Sequence, residues 1–235
     1  MAASSQSLPI ALVPGLLCTP RLYAEQLPAL WRFGPVIVAD HTRDDSMAAL
    51  ARRALSQVAG RFVLIGLSMG GYVSFEIMRQ APERVAKLAL LDTTARPDLP
   101  EQSDARRRQI ELAQNGRFNT IADLLFPKFV AAARHADDAL RAVVRTMAQD
   151  TGADAFVRQQ TAIMNRPDSR QGLGAIRCPT LVVVGEDDTL TPPDRATEIA
   201  AGVPDARIVT VPRCGHLSTI EQPEVVTRAL VEFLS

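Results

Sequence analysis

A chain of 235 residues, 47% hydrophobic and 22% charged, can bury a substantial core and matches the balance of a globular domain. Its 26 Lys and Arg offset 26 Asp and Glu, so no net field gathers nucleic acid or an anionic membrane surface. Three cysteines (Cys18, Cys178, Cys214) without a CxxC pair do not form a disulfide framework, and three histidines without ligand spacing give no metal site; neither metal nor cofactor is expected, and a reducing cytoplasm is.

The apolar stretch 8–18 has the hydrophobicity of a signal-peptide core, but no positive charge precedes it and Pro9 and Pro14 interrupt it. It is better described as a buried strand entering a glycine turn, and no apolar stretch is long enough to span a membrane. Runs at 10–13, 36–39, 62–65, 85–91, 181–184 and 207–211 predict strands. Between or after them, 21–30, 46–58, 69–80, 193–201 and 223–234 carry helical periodicity. That alternation predicts a mostly parallel sheet of about six strands covered on both faces. From about 95 to 176 only helices are predicted, at 101–115, 119–132, 136–149 and 153–165. An insertion after the fourth strand lies at the carboxyl ends of the strands, where open α/β sheets bind ligands. The expected organisation is therefore a core of residues 1–94 and 177–235 with a helical cap of residues 95–176.

The most informative stretch is Gly66-Leu67-Ser68-Met69-Gly70, set between the third strand and the helix after it. Glycines there let strand and helix approach closely, so the Ser68 hydroxyl projects from a sharp turn at a helix N-terminus. A serine hydroxyl needs a base, and the base needs a carboxylate to fix its tautomer. His216, in a glycine loop between the last strand and the last helix, shares the sheet edge of Ser68 and is the expected base. His41 also follows a strand, where turn chemistry accounts for it equally, and His135 lies in a charged helical stretch. For the acid, Gly185-Glu186-Asp187-Asp188 follows a buried strand; Asp188 is chosen, with Asp187 a local rival and Asp92 a more distant one. Backbone N–H groups of Met69 and Leu16 are the expected oxyanion donors. Leu17 and Leu67 flank this chemistry, and Phe126, Phe129, Met147 and Phe156 are candidates to line a pocket from the cap.

Together these residues resemble the α/β-hydrolase superfamily, in particular its small capped, esterase-like members such as pimeloyl-ester carboxylesterases and enol-lactonases. The order Ser68, acid, His216 matches, and Gly185 through Pro192 fits that family's Gly-X-X-Asp-X-X-X-Pro pattern, which favours Asp188. Gly215-His216 followed by Glu221-Gln222-Pro223 is similar too, with Glu221 structural. Two departures stand out: Pro14-Gly15 replaces the usual His-Gly of the oxyanion turn, and the initial strand pair is missing, which leaves the strand at 36–39 on a sheet edge.

The resemblance implies a serine hydrolase cleaving a small to medium carboxylic ester through an acyl-enzyme. Alternatives on the same scaffold are thioester or lactone hydrolysis, C–C bond hydrolysis and perhydrolysis; a non-catalytic binder is a further one. A C–C hydrolase needs cations to hold a carboxylate, for which Arg141, Arg145, Arg158 and Arg166 are candidates. The expected partner is a small-molecule ester, with the chain a monomer or homodimer.

Overall fold

The computed structural model describes residues 7–235, and in it the six apolar runs become β1 (Ile10–Val13), β2 (Val36–Val38), β3 (Phe62–Leu67), β4 (Val85–Leu91), β5 (Thr180–Gly185) and β6 (Arg207–Val211). They form one parallel sheet in the order β2-β1-β3-β4-β5-β6. β3 and β5 are buried at every position, which is why their sequences are continuously apolar rather than alternating. Among the described residues β2 is one edge, as expected for the strand at 36–39, and β6 is the other, with most of its residues exposed.

Helices α1 (Leu27–Leu30), α2 (Met47–Gln57), α3 (Met69–Gln80), α8 (Pro193–Gly202) and α10 (Pro223–Leu234) accompany the strands, with a short α9 (Ser218–Glu221) before the last. Between β4 and β5 the chain forms α4 (Pro100–Leu112), α5 (Ile121–Phe129), α6 (Asp138–Thr151) and α7 (Ala153–Met164). Among the described residues no helix is long and apolar enough to cross a membrane.

Two predicted helices are shorter than expected. The 21–30 segment splits into a 3₁₀ turn, Pro20–Tyr23, and the brief α1, because Pro28 has no N–H to continue a helix through it. The 119–132 segment ends at Phe129, where Val130 turns extended (φ −129°, ψ 157°). There the backbone finds partners elsewhere: the Phe129 carbonyl accepts the His216 and Leu217 N–H groups, and the Ala131 N–H goes to the Glu221 carboxylate.

The winding direction places the site. From β1 the chain steps outward to β2, then crosses back to β3 on the other side of β1 and continues through β6. The direction reverses between β1 and β3, and their carboxyl ends carry Gly15-Leu16 and Ser68. A crevice opens at such a reversal because adjacent connections leave on opposite faces.

Leu64, on a central strand and 0% exposed, is expected to lose about 2–5 kcal/mol of stability on truncation to alanine. Trp31→Ala, at a position 62% exposed, is expected to change it by less than about 0.5 kcal/mol. Urea denaturation of both variants checks this ordering, and equal shifts would contradict the packing described.

Candidate active site

Ser68 joins β3 to α3 with φ 55° and ψ −112°, a conformation that costs a non-glycine residue about 1–3 kcal/mol. The surroundings enforce it. A Cβ on Gly70 would overlap the Val13 carbonyl, and one on Gly66 would overlap the Gly70 carbonyl and the Ser74 hydroxyl. Behind the turn, the Ser68 N–H donates to the Leu91 carbonyl at 2.9 Å and the Thr93 hydroxyl donates to the Ser68 carbonyl at 2.8 Å.

The loops after β5 and β6 are tied to each other before their side chains meet. The Glu186 N–H donates to the Val211 carbonyl at 2.9 Å and the Asp187 N–H to the Cys214 carbonyl at 2.8 Å. A side chain on Gly185 would strike the Gly215 and Cys214 carbonyls, so glycine is required for this approach. The result brings Asp188 Oδ2 to 2.8 Å from His216 Nδ1, and His216 Nε2 to 2.7 Å from Ser68 Oγ. Asp188 Oδ1 accepts the Leu190 and Thr191 N–H groups at 2.8 and 3.0 Å, and the Thr191 hydroxyl donates to Oδ2 at 2.7 Å. Asp187 makes no such contact: its backbone, not its carboxylate, serves the loop.

Both partners are buried, His216 at 2% and Asp188 at 3% exposure, so their electrostatics are strongly felt. Burial alone lowers the His216 pKa, but the charge and hydrogen bond of Asp188, with Asp92 and Glu221 adding, raise it above the usual 6.5. Burial works against ionised Asp188 as well, and His216 with the Thr191 donors outweighs it, holding the carboxyl below its usual 3.8. Asp92, directly after β4 with φ 45°, is fully buried and feels the charges of both Asp188 and His216. Burial and the Asp188 charge raise its pKa to about 8 despite the Ser218 hydroxyl and Gly185 N–H that it accepts. Asp92 thus braces the β5 and α9 ends while Asp188 contacts the imidazole. Glu221 accepts from the Ala131 and Leu217 N–H groups, which pins the histidine loop to the segment after α5.

Among the described residues, the Leu16 and Met69 N–H groups find no internal acceptor, which leaves both available as donors. The turn holding Leu16 has a support that sequence order hides: His41 Nε2 lies 2.9 Å from the Gly15 carbonyl. Burial lowers the His41 pKa, so its neutral ring donates there. His135, half-exposed, places Nε2 2.9 Å from the Pro127 carbonyl, away from Ser68.

A cavity of about 520 Å³ opens over Ser68 and His216, with Leu16, Leu67 and Phe129 in its wall. Leu17, Phe126, Met147 and Phe156, expected to line it, do not. Leu17 turns inward with φ 59° and gives its N–H to Gln159 Oε1 at 3.1 Å. Phe156 packs on Phe118 with ring centroids 5.8 Å apart, the Arg141 guanidinium covers Phe126 at 4.2 Å, and Met147 is 1% exposed. Those apolar faces are spent between helices. Of the four arginines expected to meet a carboxylate, only Arg166 reaches the cavity; Arg141 and Arg145 pair with Asp123, and Arg158 donates to the Thr42 carbonyl. The wall also includes Tyr72, Asp98, Arg106 and Lys128, which sequence reasoning did not find. Among the described residues no group of three or more His, Cys, Asp or Glu is placed to hold a metal ion.

A family model described as "Alpha/beta hydrolase family" matches residues 10–229. A thermophilic esterase from Thermogutta terrifontis, solved with malate bound, superposes with a TM-score of 0.88 at 32% identity, covering 97% of this chain and 89% of that one. A relative from Pseudomonas savastanoi pv. phaseolicola named for carbamate hydrolysis is 29% identical over 96% of this chain and 93% of its own length. The 2-hydroxy-6-oxononadienedioate/2-hydroxy-6-oxononatrienedioate hydrolase of Burkholderia vietnamiensis is 27% identical over 87% of this chain and 73% of its own.

The raised His216 pKa means that its protonated form stabilises the fold, fully below pH 6.5 and progressively less as pH rises through the folded value. An NMR titration of the His216 ring is expected to show a midpoint above 6.5, and Asp188→Asn is expected to bring it down, since burial then dominates. A wild-type midpoint at or below 6.5, or one unmoved by the substitution, would contradict the pairing.

Proposed function

The chain belongs to the alpha/beta hydrolase family, and from that premise we propose that it is a serine hydrolase cleaving a small to medium carboxylic ester through an acyl-enzyme. The observation that carries this reading is the continuous relay from Asp188 Oδ2 through the imidazole to Ser68 Oγ, with both hydrogen bonds under 3 Å. In the acylation step Ser68 Oγ bonds to the ester carbonyl carbon as its proton passes to His216 Nε2. The carbonyl oxygen becomes an oxyanion held by the Met69 and Leu16 N–H groups, aided by the N-terminal end of α3. Collapse of the tetrahedral species breaks the bond to the leaving alcohol, which takes the proton from Nε2. Water then attacks the acyl-enzyme, gives its proton to His216, and the acid departs as Ser68 is reprotonated. Asp188 keeps Nδ1–H engaged throughout, so that Nε2 faces the hydroxyl as an acceptor.

A second reading, hydrolysis of a C–C bond next to a carbonyl, uses the same relay and is supported by the relative named for nonadienedioate hydrolysis. Turnover of a vinylogous diketone acid compared with that of a simple ester separates the two.

With p-nitrophenyl acyl esters, a rapid stoichiometric release of nitrophenol is expected before steady turnover. Ser68→Ala is expected to abolish the burst and lower kcat by about 10⁴-fold or more. Retention of burst and rate in that variant would remove Ser68 from the chemistry.

A further inference from the structure

The cavity over Ser68 is markedly more basic than the protein that holds it. Six Lys or Arg side chains line it against one carboxylate, Asp98, although the whole chain has equal numbers of both charges. Three of these cations are already matched from behind: Arg96 by Glu198, Arg170 by Asp168 and Arg195 by Asp194. The surplus is therefore local. Arg106 and Arg166 share the single carboxylate of Asp98, at 2.7 and 2.6 Å, and Lys128 has no carboxylate partner among the described residues.

This cluster is built rather than merely solvated. The side chains of Asp98 and Arg166 are 2% and 5% exposed. Arg166 is fixed by the Arg96 and Ile163 carbonyls, and Arg106 by the side chain of Gln160, itself fully buried. These bonds use Nε and Nη1 of each arginine, so neither Nη2 has a hydrogen-bond partner among the described residues, and both arginines line the cavity. Two cations that share one anion and line a cavity, each with a donor to spare, can receive a further anion of carboxylate geometry. The cluster is also close to the chemistry. The Arg166 guanidinium lies 4.3 Å from the Tyr72 ring centroid, and Tyr72 sits four residues, about 6 Å of helical rise, beyond Ser68 on α3.

We propose that Arg106, Arg166 and Lys128 form a carboxylate-recognition subsite, so that the preferred substrate is an acidic ester bearing a free carboxylate on a short chain beyond the scissile carbonyl. This rests on the serine hydrolase reading for the word ester, but the subsite itself is a binding claim and is testable without turnover. None of the three residues touches the reacting atoms; they select the substrate and fix its direction in the cavity. A neutral ester of equal length leaves the cluster with water and forgoes its charge-assisted hydrogen bonds.

The test is calorimetric titration of the Ser68→Ala protein with monomethyl glutarate and with methyl pentanoate, which have equal chain lengths and differ in the terminal carboxylate. The acidic ester is expected to bind about tenfold or more tightly, with the advantage shrinking as salt is raised. Arg106→Gln leaves the Arg166–Asp98 pair intact and neutral, and Lys128→Gln disturbs no internal ion pair; combined, they are expected to reduce the advantage to about twofold or less. Equal affinities for the two esters, or an advantage that survives both substitutions, would overturn the subsite. Turnover of the same two esters by the wild-type protein is read separately: selective binding without hydrolysis would refute the hydrolase reading while leaving the subsite standing.

Discussion

The buried hydrogen bond between Asp188 and His216 is the interaction on which the site depends, and the sheet supplies the means to form it. Neither side chain is stable alone at that depth, since a carboxylate and an imidazolium each lose hydration there. Their approach is decided earlier, by the backbone bonds between the β5 and β6 loops and by two glycines, Gly185 and Gly215, that admit close contact. A Cβ on Gly215 would strike Val130 and Ala131, so the histidine loop is clamped between the sheet edge and the segment following α5. The helices between β4 and β5 thus do more than roof the cavity. Through the Phe129 carbonyl and the Glu221 carboxylate they fix the backbone that carries His216.

The same arrangement concentrates strain and charge in one place. Ser68, Asp92 and Leu17 all hold positive φ, and all lie at or just past the carboxyl ends of strands in the middle of the sheet. The sheet tolerates these conformations because the strands behind them are apolar and fully paired, and such strain is found where a side chain must be aimed. Above that rim, the segment between β4 and β5 contributes Arg96, Arg106, Lys128, Arg166 and Arg170 to the cavity over Ser68. A chain with no net charge can still build a strongly polarised pocket when single carboxylates are shared by two cations.

Much of this was legible in the sequence, for identifiable reasons. Continuous apolar runs gave away doubly covered strands, and the spacing of Gly66, Ser68 and Gly70 admits few backbones other than a tight strand-to-helix turn. Asp188 and Asp187 follow the same strand, so the choice of Asp188 left Asp187 a close rival until the family pattern favoured Asp188; in the structure they differ in which one the turn presents to the imidazole. The cavity lining was not legible. Amphipathic helices that pack against each other show the same periodicity as helices that face a void, so Phe126, Met147 and Phe156 could not be distinguished from Phe129. Arginines posed the same difficulty. Arg145 and Arg166 both lie on helical or adjoining segments, but one meets an exposed Asp123 while the other meets a buried Asp98, 68 positions away in the chain. The support of Gly15 by His41 is hidden for the same reason: long-range partners leave no local pattern.

The central claim is that the imidazole at 216 activates the hydroxyl at 68, which makes that oxygen far more reactive than any other serine in the chain. Covalent labelling with a fluorophosphonate, followed by intact-mass measurement and peptide mapping, tests this most directly. One adduct per chain, located on Ser68 and lost in His216→Ala, is the predicted result. No adduct, labelling on another residue, or unchanged labelling after loss of His216 would contradict the account.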